Sequence, residues 1–482
     1  MKKVTRHILP YSSDASAYFE AIKDMPDAIW LDSGKPYSNQ GSVDIISSNP
    51  DTIIETWGKV STIIDSSGIR TSDEDPFTIV QQALDPLMPM EPSLLNIPFT
   101  GGIIGFYGYD LGRHLIDIPD VADSILNFPD MRVGRYLWAL IIDHITKQAE
   151  IIFHENCDVS LKLTVIDRLI NNSKPDKIKG GSFRLKAPFS SSTKKSDYIS
   201  SIETIKNYIA CGDCYQANYT QHFSAPFEGD EWEAYRVLRT NCASPYSVFW
   251  QWKDRALLSV SPERFLKVSH DENRQLIVET KPIKGTMRRG KTPDEDVKNS
   301  ELLMKSEKDR AENLMIVDLL RNDISRNCSP GTVNTPRLFE LESFPNVHHL
   351  VSTVTGRLDK QSKPLQLLRD SFPGGSITGA PKKRAMEIIE ELEPVRRSVY
   401  CGSIGYLSSN GRMDTNIAIR TVVASDSKLH CWAGGGIVND SDSEQEYRES
   451  LDKISLIINT LETPYNIDSI YLIDTTLQLS SH

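Results

Sequence analysis

Lys284 occupies a setting in which a lysine could act as a nucleophile. An alternating run from Gln275 to Thr280 predicts a strand, and Pro282 ends its ladder because proline has no N–H to donate. Gly285 would let a ligand approach the backbone closely, and Thr286 offers a hydroxyl. Desolvation could free Lys284 of its proton. Taken alone, this stretch is more simply interpreted as a surface turn.

Carboxylates recur at helical spacing in two distant segments. Glu312 lies within a predicted helix from about 294 to 320, and Glu446, Glu449 and Lys453 share one face of a predicted helix over 443–461. A solvated helix face is the usual interpretation of such charges. If the two helices converge, however, Glu312 and Glu449 would supply two of the hard oxygen ligands that Mg²⁺ takes.

Two glycine-rich stretches could receive anions. Residues 372–381 lead into a predicted helix, whose N-terminus could attract a carboxylate. Residues 433–438 lie between strand-like runs, where bare backbone N–H groups could bind a second carboxylate. Neither stretch is a Walker A loop, and tight turns are the alternative interpretation of both.

Composition and charge exclude several function classes. The 482 residues suffice for two or more domains or one large one, and the net charge of −11 argues against a sequence-independent nucleic-acid binder. No apolar run approaches the roughly 20 residues that span a bilayer. The N-terminus has basic residues without an apolar segment after them. We therefore expect no nucleic-acid partner, no membrane association and a cytoplasmic location.

Seven widely scattered cysteines fit reduced thiols in a cytosolic chain. Cys211 and Cys214 form the one C-x-x-C pair, and a redox or metal role stays open for it. A helix that ends at Gly212 is the favoured interpretation.

Periodicity and turn residues predict a mixture of strands and helices. Residues 101–110 are glycine-rich and predict a strand and turn, and the polar stretch 171–196 predicts a linker between halves. The predicted strands are 28–33, 43–47, 52–57, 136–143, 148–153, 247–252, 256–260, 402–407, 415–423 and 428–433. The predicted helices are 77–87, 196–210, 294–320, 381–392 and 443–461.

Six short motifs occur in one order along the second half of the chain, at 261–265, 282–286, 309–313, 347–352, 379–382 and 433–438. Together they resemble the chorismate-utilising enzymes, the family of anthranilate synthase, isochorismate synthase and aminodeoxychorismate synthase component I. The resemblance covers roughly 195–461 in specific motifs and the N-terminal half more loosely. It implies an N-terminal region over 1–170, a chorismate-binding catalytic domain over 195–461, and a tail over 462–482 of unknown role.

The resemblance also implies a fold and an activity. The fold is α/β of the α+β type, with two large antiparallel sheets packed as a sandwich, helices outside and the site in a cleft. Anthranilate synthases carry alanine where this chain has Lys284, and lysine marks the branch that converts chorismate and ammonia to 4-amino-4-deoxychorismate for 4-aminobenzoate and folate synthesis.

A partner is implied as well, and two other functions stay open. The chain shows no glutaminase Cys-His-Glu motif, so we expect a separate glutamine amidotransferase subunit, component II, as heterodimer partner. Anthranilate synthase component I is the first alternative. A catalytically inactive chorismate-binding or regulatory subunit is the second, although the retention of Lys284, Glu263, Glu312 and Glu449 speaks against it.

The resemblance assigns roles residue by residue. Lys284 would attack ring carbon 2 and displace the 4-hydroxyl, after which ammonia would enter at carbon 4 and expel the lysine. Glu263 would be the general acid/base, His349 would contact the leaving-group side, and Glu312 and Glu449 would hold Mg²⁺. The implied substrate-binding residues are Gly285, Thr286, Tyr400, Arg420, Gly434, Gly435, Gly436 and Lys453.

An amino-acid pocket is a further expectation. In anthranilate synthases a Leu-Leu-Glu-Ser stretch lines a tryptophan feedback site, and the matching stretch here ends in Asp32-Ser33. The shortened acid argues against inhibitor-type binding. We expect a buried, polar pocket between the sheets, formed by Ser33, Tyr37, Pro245 and Tyr246, that holds L-tryptophan as a structural ligand. A strand end whose serine caps a turn is an equally weighted alternative.

Overall fold

The computed structural model describes residues 1–38, 40–171, 182–343 and 347–463. The predicted tail therefore lies almost wholly outside the described residues, as does part of the predicted linker. The α-helices are α1 Ser16–Glu20, α2 Pro76–Leu84, α3 Val159–Asn171, α4 Lys195–Ala210, α5 Glu231–Asn241, α6 Pro293–Lys305, α7 Glu307–Ser325, α8 Pro364–Ser371, α9 Lys382–Leu392 and α10 Ser443–Glu462.

The strands run along most of the chain between these helices. They are β1 Val4–Leu9, β2 Ile29–Asp32, β3 Val43–Ser47, β4 Thr52–Trp57, β5 Val60–Asp65, β6 Gly68–Ser72, β7 Gly102–Tyr107, β8 Met131–Tyr136, β9 Trp138–Asp143, β10 Gln148–His154, β11 Arg184–Leu185, β12 Ser190–Ser191, β13 Gln216–Glu228, β14 Tyr246–Trp252, β15 Arg255–Ser261, β16 Arg264–His270, β17 Leu276–Thr280, β18 Ile283–Arg288, β19 Asn334–Ser343, β20 Val347–Arg357, β21 Gly379–Ala380, β22 Ser403–Ser408, β23 Met413–Asn416, β24 Thr421–Ser425 and β25 Lys428–Ile437.

Two antiparallel sheets contain all of these strands. The first has the order β1-β10-β9-β3-β2-β14-β15-β24-β25-β13-β11, with β12 and β21 also paired to β13. The second has the order β18-β20-β17-β16-β23-β22-β7-β8-β4-β5-β6, with β19 paired to β20. Strands from the first 170 residues and from the second half lie in both sheets. The proposed domain boundaries themselves stay a prediction.

The main core lies between the sheets, where large side chains of both meet. Phe106 of β7 contacts Trp250 and Trp252 of β14, with ring centroids 6.1 Å apart in each case. Arg132 of β8 lies over the same two indole rings. Because apolar residues fill the inner faces of two large sheets, the sandwich buries an extended core. The predicted fold class is confirmed.

Two elements that were predicted to be continuous are each divided into two in the structure. The helix predicted over 294–320 is two helices, because the side chain of Ser306 accepts the N–H of Asp309 at 3.2 Å and begins a new helix there. The strand predicted over 415–423 is also two strands. β23 belongs to the second sheet and β24 to the first, and Arg420 between them has a left-handed φ of 49°.

The predicted end of the helix over 196–210 is confirmed. α4 ends at Ala210, Cys211 caps it, and Gly212 follows with a φ of 84°, as the sequence indicated. All seven cysteines are free thiols. Among the helices within the described residues, none combines the length and apolarity that crossing a membrane requires.

Candidate functional site

The first sheet splits beside β25, and the split exposes backbone groups of its glycines. β24 and β25 form a hairpin whose two turn residues, Asp426 and Ser427, both have positive φ, the type I′ geometry. Their pairing stops at His430, while β25 continues to Ile437 on β13. Alternation along the ladder then turns the N–H and C=O groups of Gly434 and Gly436 away from β13, toward the open side.

A lysine and two carboxylates of α10 approach this part of β25. The Nζ of Lys453 donates to the carbonyl of Gly434 at 3.0 Å and lies 2.8 Å from Oε1 of Glu449. A Cβ on Gly435 would lie 3.2 Å from both Oε2 of Glu446 and Nζ of Lys453. Glycine at 435 therefore lets the charged face of α10 come close to the strand.

Lys284 lies on β18 at the edge of the second sheet and is half-buried. Desolvation lowers the pKa of its ammonium, and Lys453 acts in the same direction, while Glu312, Glu263 and Glu449 oppose both. Thus the predicted nucleophile and the predicted carboxylates act on one another in space. The lowered pKa favours the neutral amine that a nucleophilic lysine needs.

Gly285 allows α7 to pack against the strand beside Lys284. Its φ is +86°, and a Cβ at this position would lie 3.0 Å from Cβ of Asp309. Thr286 follows, and its Oγ1 is 2.8 Å from Nδ1 of His349 on β20. Burial, with a smaller contribution from Arg420, lowers the pKa of His349 to about 4. His349 is therefore neutral at physiological pH.

Glu263, in the turn between β15 and β16, is buried. Its pKa is raised to about 7, because burial outweighs the lowering effects of Lys284 and of a hydrogen bond from Ser376. The Oγ of Ser376 donates to Oε1 at 3.0 Å. A carboxyl group that titrates near neutrality can both give and take a proton at working pH. The glycine-rich stretch 372–381 thus contributes a hydroxyl to the site, a contact that sequence reasoning missed.

Arg420 and Tyr400 are two further residues that were predicted to bind substrate. Arg420 is half-buried, desolvation lowers the pKa of its guanidinium, and within the described part of the chain that guanidinium has no hydrogen-bond or ion-pair partner. Tyr400 is buried and stacks on Trp432 of β25 at 5.9 Å. Since an unpaired cation is costly away from water, Arg420 is suited to an anionic ligand.

The carboxylates of α7 and α10 differ in their electrostatics. Burial raises the pKa of Glu312, and Glu446 adds to the shift. Glu446 is buried too, accepts a hydrogen bond from Ser441 at 2.7 Å and also has a raised pKa. Although burial opposes it, Lys453 lowers the pKa of Glu449. Glu446 was not among the predicted ligands, although its spacing of three from Glu449 could have indicated it.

The donor set of these helices fits Mg²⁺. Among the described residues no group of three or more His, Cys, Asp or Glu side chains forms a metal cluster, but Mg²⁺ usually takes only one or two protein carboxylates. Glu446 raises the pKa of Glu312 by repulsion across the two helices, and a hard cation bound to this acidic face would relieve that repulsion. Lys308, 4.0 Å from Glu312, offsets part of this negative charge.

A separate cavity of about 150 Å³ lies between the sheets. Its wall includes Asp32, Pro245 and Tyr246 from the first sheet and Arg264 and Lys267 from the second. The expected residues Pro245 and Tyr246 therefore face this cavity.

Ser33 and Tyr37 lie outside that wall. The Ser33 N–H donates to Asp44 at 2.6 Å, and Tyr37 is 43% exposed, with its ring below the guanidinium of Arg239.

Comparisons with known proteins identify the family. The model of the chorismate binding enzyme family matches residues 27–459. The chain is 43% identical to aminodeoxychorismate synthase component 1 of Salmonella typhimurium, over 94% of this chain and 97% of the relative. It is 30% identical to anthranilate synthase component 1 of Acetivibrio thermocellus, over 95% of each chain. The crystal structure of anthranilate synthase component I from Streptococcus pneumoniae matches with a TM-score of 0.76 and 31% identity, over 87% of this chain and 92% of that chain.

Proposed function

The chain belongs to the chorismate-binding enzyme family, and from this premise we propose that it converts chorismate and ammonia to 4-amino-4-deoxychorismate, the precursor of 4-aminobenzoate and folate. The observation that carries the proposal is Lys284, half-buried with a lowered pKa among Glu263, Glu312 and Glu449. The higher identity to aminodeoxychorismate synthase component 1 than to anthranilate synthase component 1 supports this branch.

The reaction proceeds through a covalent lysine adduct. The neutral Nζ of Lys284 forms a bond to ring carbon 2, both ring double bonds shift by one position, and the bond from carbon 4 to its hydroxyl breaks. Glu263 gives its proton to the departing hydroxyl, which leaves as water. Ammonia then bonds to carbon 4, both double bonds shift back, and Lys284 departs as the neutral amine, while Glu263 takes a proton from the new ammonium at carbon 4. A pKa of about 7 lets Glu263 act as acid in the first half and as base in the second.

Binding of the substrate dianion is divided between charged and neutral donors. Arg420, unpaired among the described residues, binds one carboxylate, and the outward N–H groups of Gly434 and Gly436 bind another. Thr286 and His349 lie on the side of the leaving hydroxyl, with Tyr400 closing the site. Lys453 holds Glu449 and the Gly434 carbonyl in place.

Mg²⁺ is the cofactor we propose, held by Glu312 and Glu449. When bound, it supplies positive charge to the ring carboxylate. Glu446 orients this acidic face, because its carboxylate is fixed by Ser441.

Ammonia comes from a partner in this proposal. Three relatives that are 43% identical to this chain are named as component 1 of a synthase, which supports a second component. A glutamine amidotransferase, component II, would deliver ammonia within a cytoplasmic heterodimer.

A product assay tests the proposed function. The purified protein with chorismate, Mg²⁺ and ammonium is expected to form 4-amino-4-deoxychorismate. Anthranilate fluorescence in the absence of any added lyase would instead favour anthranilate synthase. Chorismate binding without turnover at saturating ammonium would favour an inactive binding subunit.

We also propose that the cavity between the sheets holds L-tryptophan as a structural ligand. Pro245 and Tyr246 supply apolar wall, and the ammonium of Lys267 supplies a cation for the carboxylate of an amino acid. Calorimetric titration and thermal shift with L-tryptophan should show saturable binding. No binding at millimolar concentration, in protein freed of co-purified ligand, would contradict it.

A further inference from the structure

The side-chain amide of Gln216 is buried and has no hydrogen-bond partner among the described residues. Gln216 begins β13 and is 1% exposed, and neither its Oε1 nor its Nε2 has a hydrogen-bond partner within the part of the chain that the structure describes. Buried polar side chains are nearly always hydrogen-bonded. Because both ends of this amide are unpaired among the described residues, the amide is available to a bound ligand.

The position of this amide connects it to the open side of β25. A Cβ on Gly436 would lie 2.5 Å from Nε2 of Gln216, so the amide packs directly against this glycine. On its other side, the backbone of Gln216 pairs with Ala380 of β21. Gln216 thus lies between β25 and the glycine-rich loop, with its amide beside Gly436, whose N–H group is turned toward the open side.

We propose that Gln216 is a substrate-contacting residue, whose Nε2 donates to the same chorismate carboxylate that the N–H groups of Gly434 and Gly436 bind. The inference rests on the proposed function, since it takes chorismate as the ligand. Neutral donors suit this position because, unlike a second cation, they carry no net charge that must be balanced when the site is empty. Glycine at 436 is then required to leave space for the amide as well as to bind substrate.

Gln221 provides a matched control on the same strand. It is also 1% exposed, but both its amide nitrogen and its amide oxygen are hydrogen-bonded within the protein. Its Nε2 donates to Ser450 at 2.8 Å, and its Oε1 accepts from Ser191 at 2.8 Å. Leucine at 221 therefore removes two internal hydrogen bonds, whereas leucine at 216 removes none among the described residues.

Chorismate binding and thermal stability together test the proposal. Affinity is measured by calorimetry with Mg²⁺ and without ammonia, in a Lys284→Ala background that prevents turnover. Gln216→Leu is expected to weaken binding roughly tenfold to a hundredfold, the range for a hydrogen bond to a charged group, with an unchanged or higher Tm. Gln216→Glu is expected to bind more weakly still, because its carboxylate repels that of the substrate. Gln221→Leu should lower Tm and keep the affinity.

Three outcomes would overturn the proposal. A lower Tm with unchanged chorismate affinity in Gln216→Leu would mean that the amide is satisfied by structural water. Affinity retained in Gln216→Glu would mean that the amide faces a hydrogen-bond donor. Equal weakening in Gln216→Leu and Gln221→Leu would indicate a general distortion of β13. Wild-type product formation is assayed in parallel, so that loss of the proposed function is recognised separately from loss of this contact.

Discussion

Two regions of the molecule differ in how completely their buried charged groups are hydrogen-bonded. At the end of β2, Asp32 accepts hydrogen bonds from Arg239 at 2.6 Å, from Tyr235 at 2.8 Å and from the N–H of Gly34 at 2.7 Å. Arg239 also lies over the ring of Trp30. In the cleft, by contrast, Glu263 has one hydroxyl partner and Arg420 none among the described residues.

This difference in pairing distinguishes charged groups that stabilise the fold from charged groups that are available to bind a ligand. A desolvated charge that is fully paired holds elements together, and removing one partner is costly. A desolvated charge left unpaired costs stability in the free protein and gains its partner only when a ligand binds. Arg239 and Arg420 are the same residue type in these two situations, so they permit a direct comparison.

The largest expected effect follows from removing the nucleophile. Lys284→Ala should lower the rate of aminodeoxychorismate formation roughly a thousandfold or more, because the covalent step is lost. Chorismate affinity, measured by calorimetry, should change little, since the interaction is made mainly in the transition state. Lys281→Ala is the control, because Lys281 pairs with Glu342 at 3.3 Å. Near wild-type turnover in Lys284→Ala would exclude covalent catalysis by this residue.

The two arginines should respond in opposite ways to replacement by methionine. Arg239→Met should lower the free energy of unfolding by about 3–5 kcal/mol, because it leaves Asp32 buried and unpaired, and should leave chorismate affinity unchanged in the folded fraction. Arg420→Met should keep or raise the stability and weaken chorismate binding by roughly tenfold to a hundredfold. Denaturant unfolding and calorimetry measure the two quantities. Equal loss of stability in both variants would remove the distinction between the regions.

Glu263 should make the free enzyme less stable above neutral pH. Its pKa is about 7 in the fold against an ordinary value of 4.5. As pH rises from 4.5 to 7 the unfolded chain loses this proton first, so wild-type stability falls over that interval. Glu263→Gln does not titrate. The variant should gain roughly 3 kcal/mol over wild type above pH 7, and the gain should vanish below pH 4.5.

Urea denaturation of both proteins at pH 4, 6 and 8 measures this difference. A constant difference across the three pH values would show that Glu263 does not carry the raised pKa.

The elements that the sequence predicted well are those whose signal is local. Alternation and helical spacing predicted the strand over 52–57 and the final helix, because each depends on residues close in the chain. The break at Ser306 also had a local signal, a serine followed three residues later by Asp309, but it lies inside a longer helical pattern. The sheet change between Asn416 and Thr421 had none, since it depends on which sheet each strand joins.

The residues of the candidate site also differ in whether a local sequence signal indicates them. Motif order indicated Lys284, Glu263 and Glu312 because each lies in a distinctive short stretch. The partners that adjust them come from distant parts of the chain. Ser376 contacts Glu263 across 113 residues, and Gln216 meets Gly436 at the far end of the next strand. Such contacts follow from the paths of β13 and the 372–381 loop in the folded chain, which no local spacing encodes.

The smallest expected effect concerns the acidic face of α7 and α10. Glu312→Gln or Glu449→Gln should raise the Mg²⁺ concentration for half-maximal activity by about tenfold, since a neutral amide is a poorer ligand for a hard cation. Glu444→Gln is the matched control, because Glu444 lies on the same helix but pairs with Lys195 at 2.7 Å.

The same comparison can be made without turnover, by titrating Mg²⁺ into the chorismate complex of each variant in the Lys284→Ala background. If only Glu312→Gln and Glu449→Gln bind Mg²⁺ more weakly, these carboxylates, like Arg420, are charges that gain their partner when a ligand binds. If the Mg²⁺ dependence is unchanged in both variants, the two carboxylates are ordinary solvated charges of a helix face. The ion pair between Glu449 and Lys453 at 2.8 Å would then be sufficient to balance the charge of Glu449. The repulsion that Glu446 exerts on Glu312 favours the first outcome, because a bound cation would relieve it.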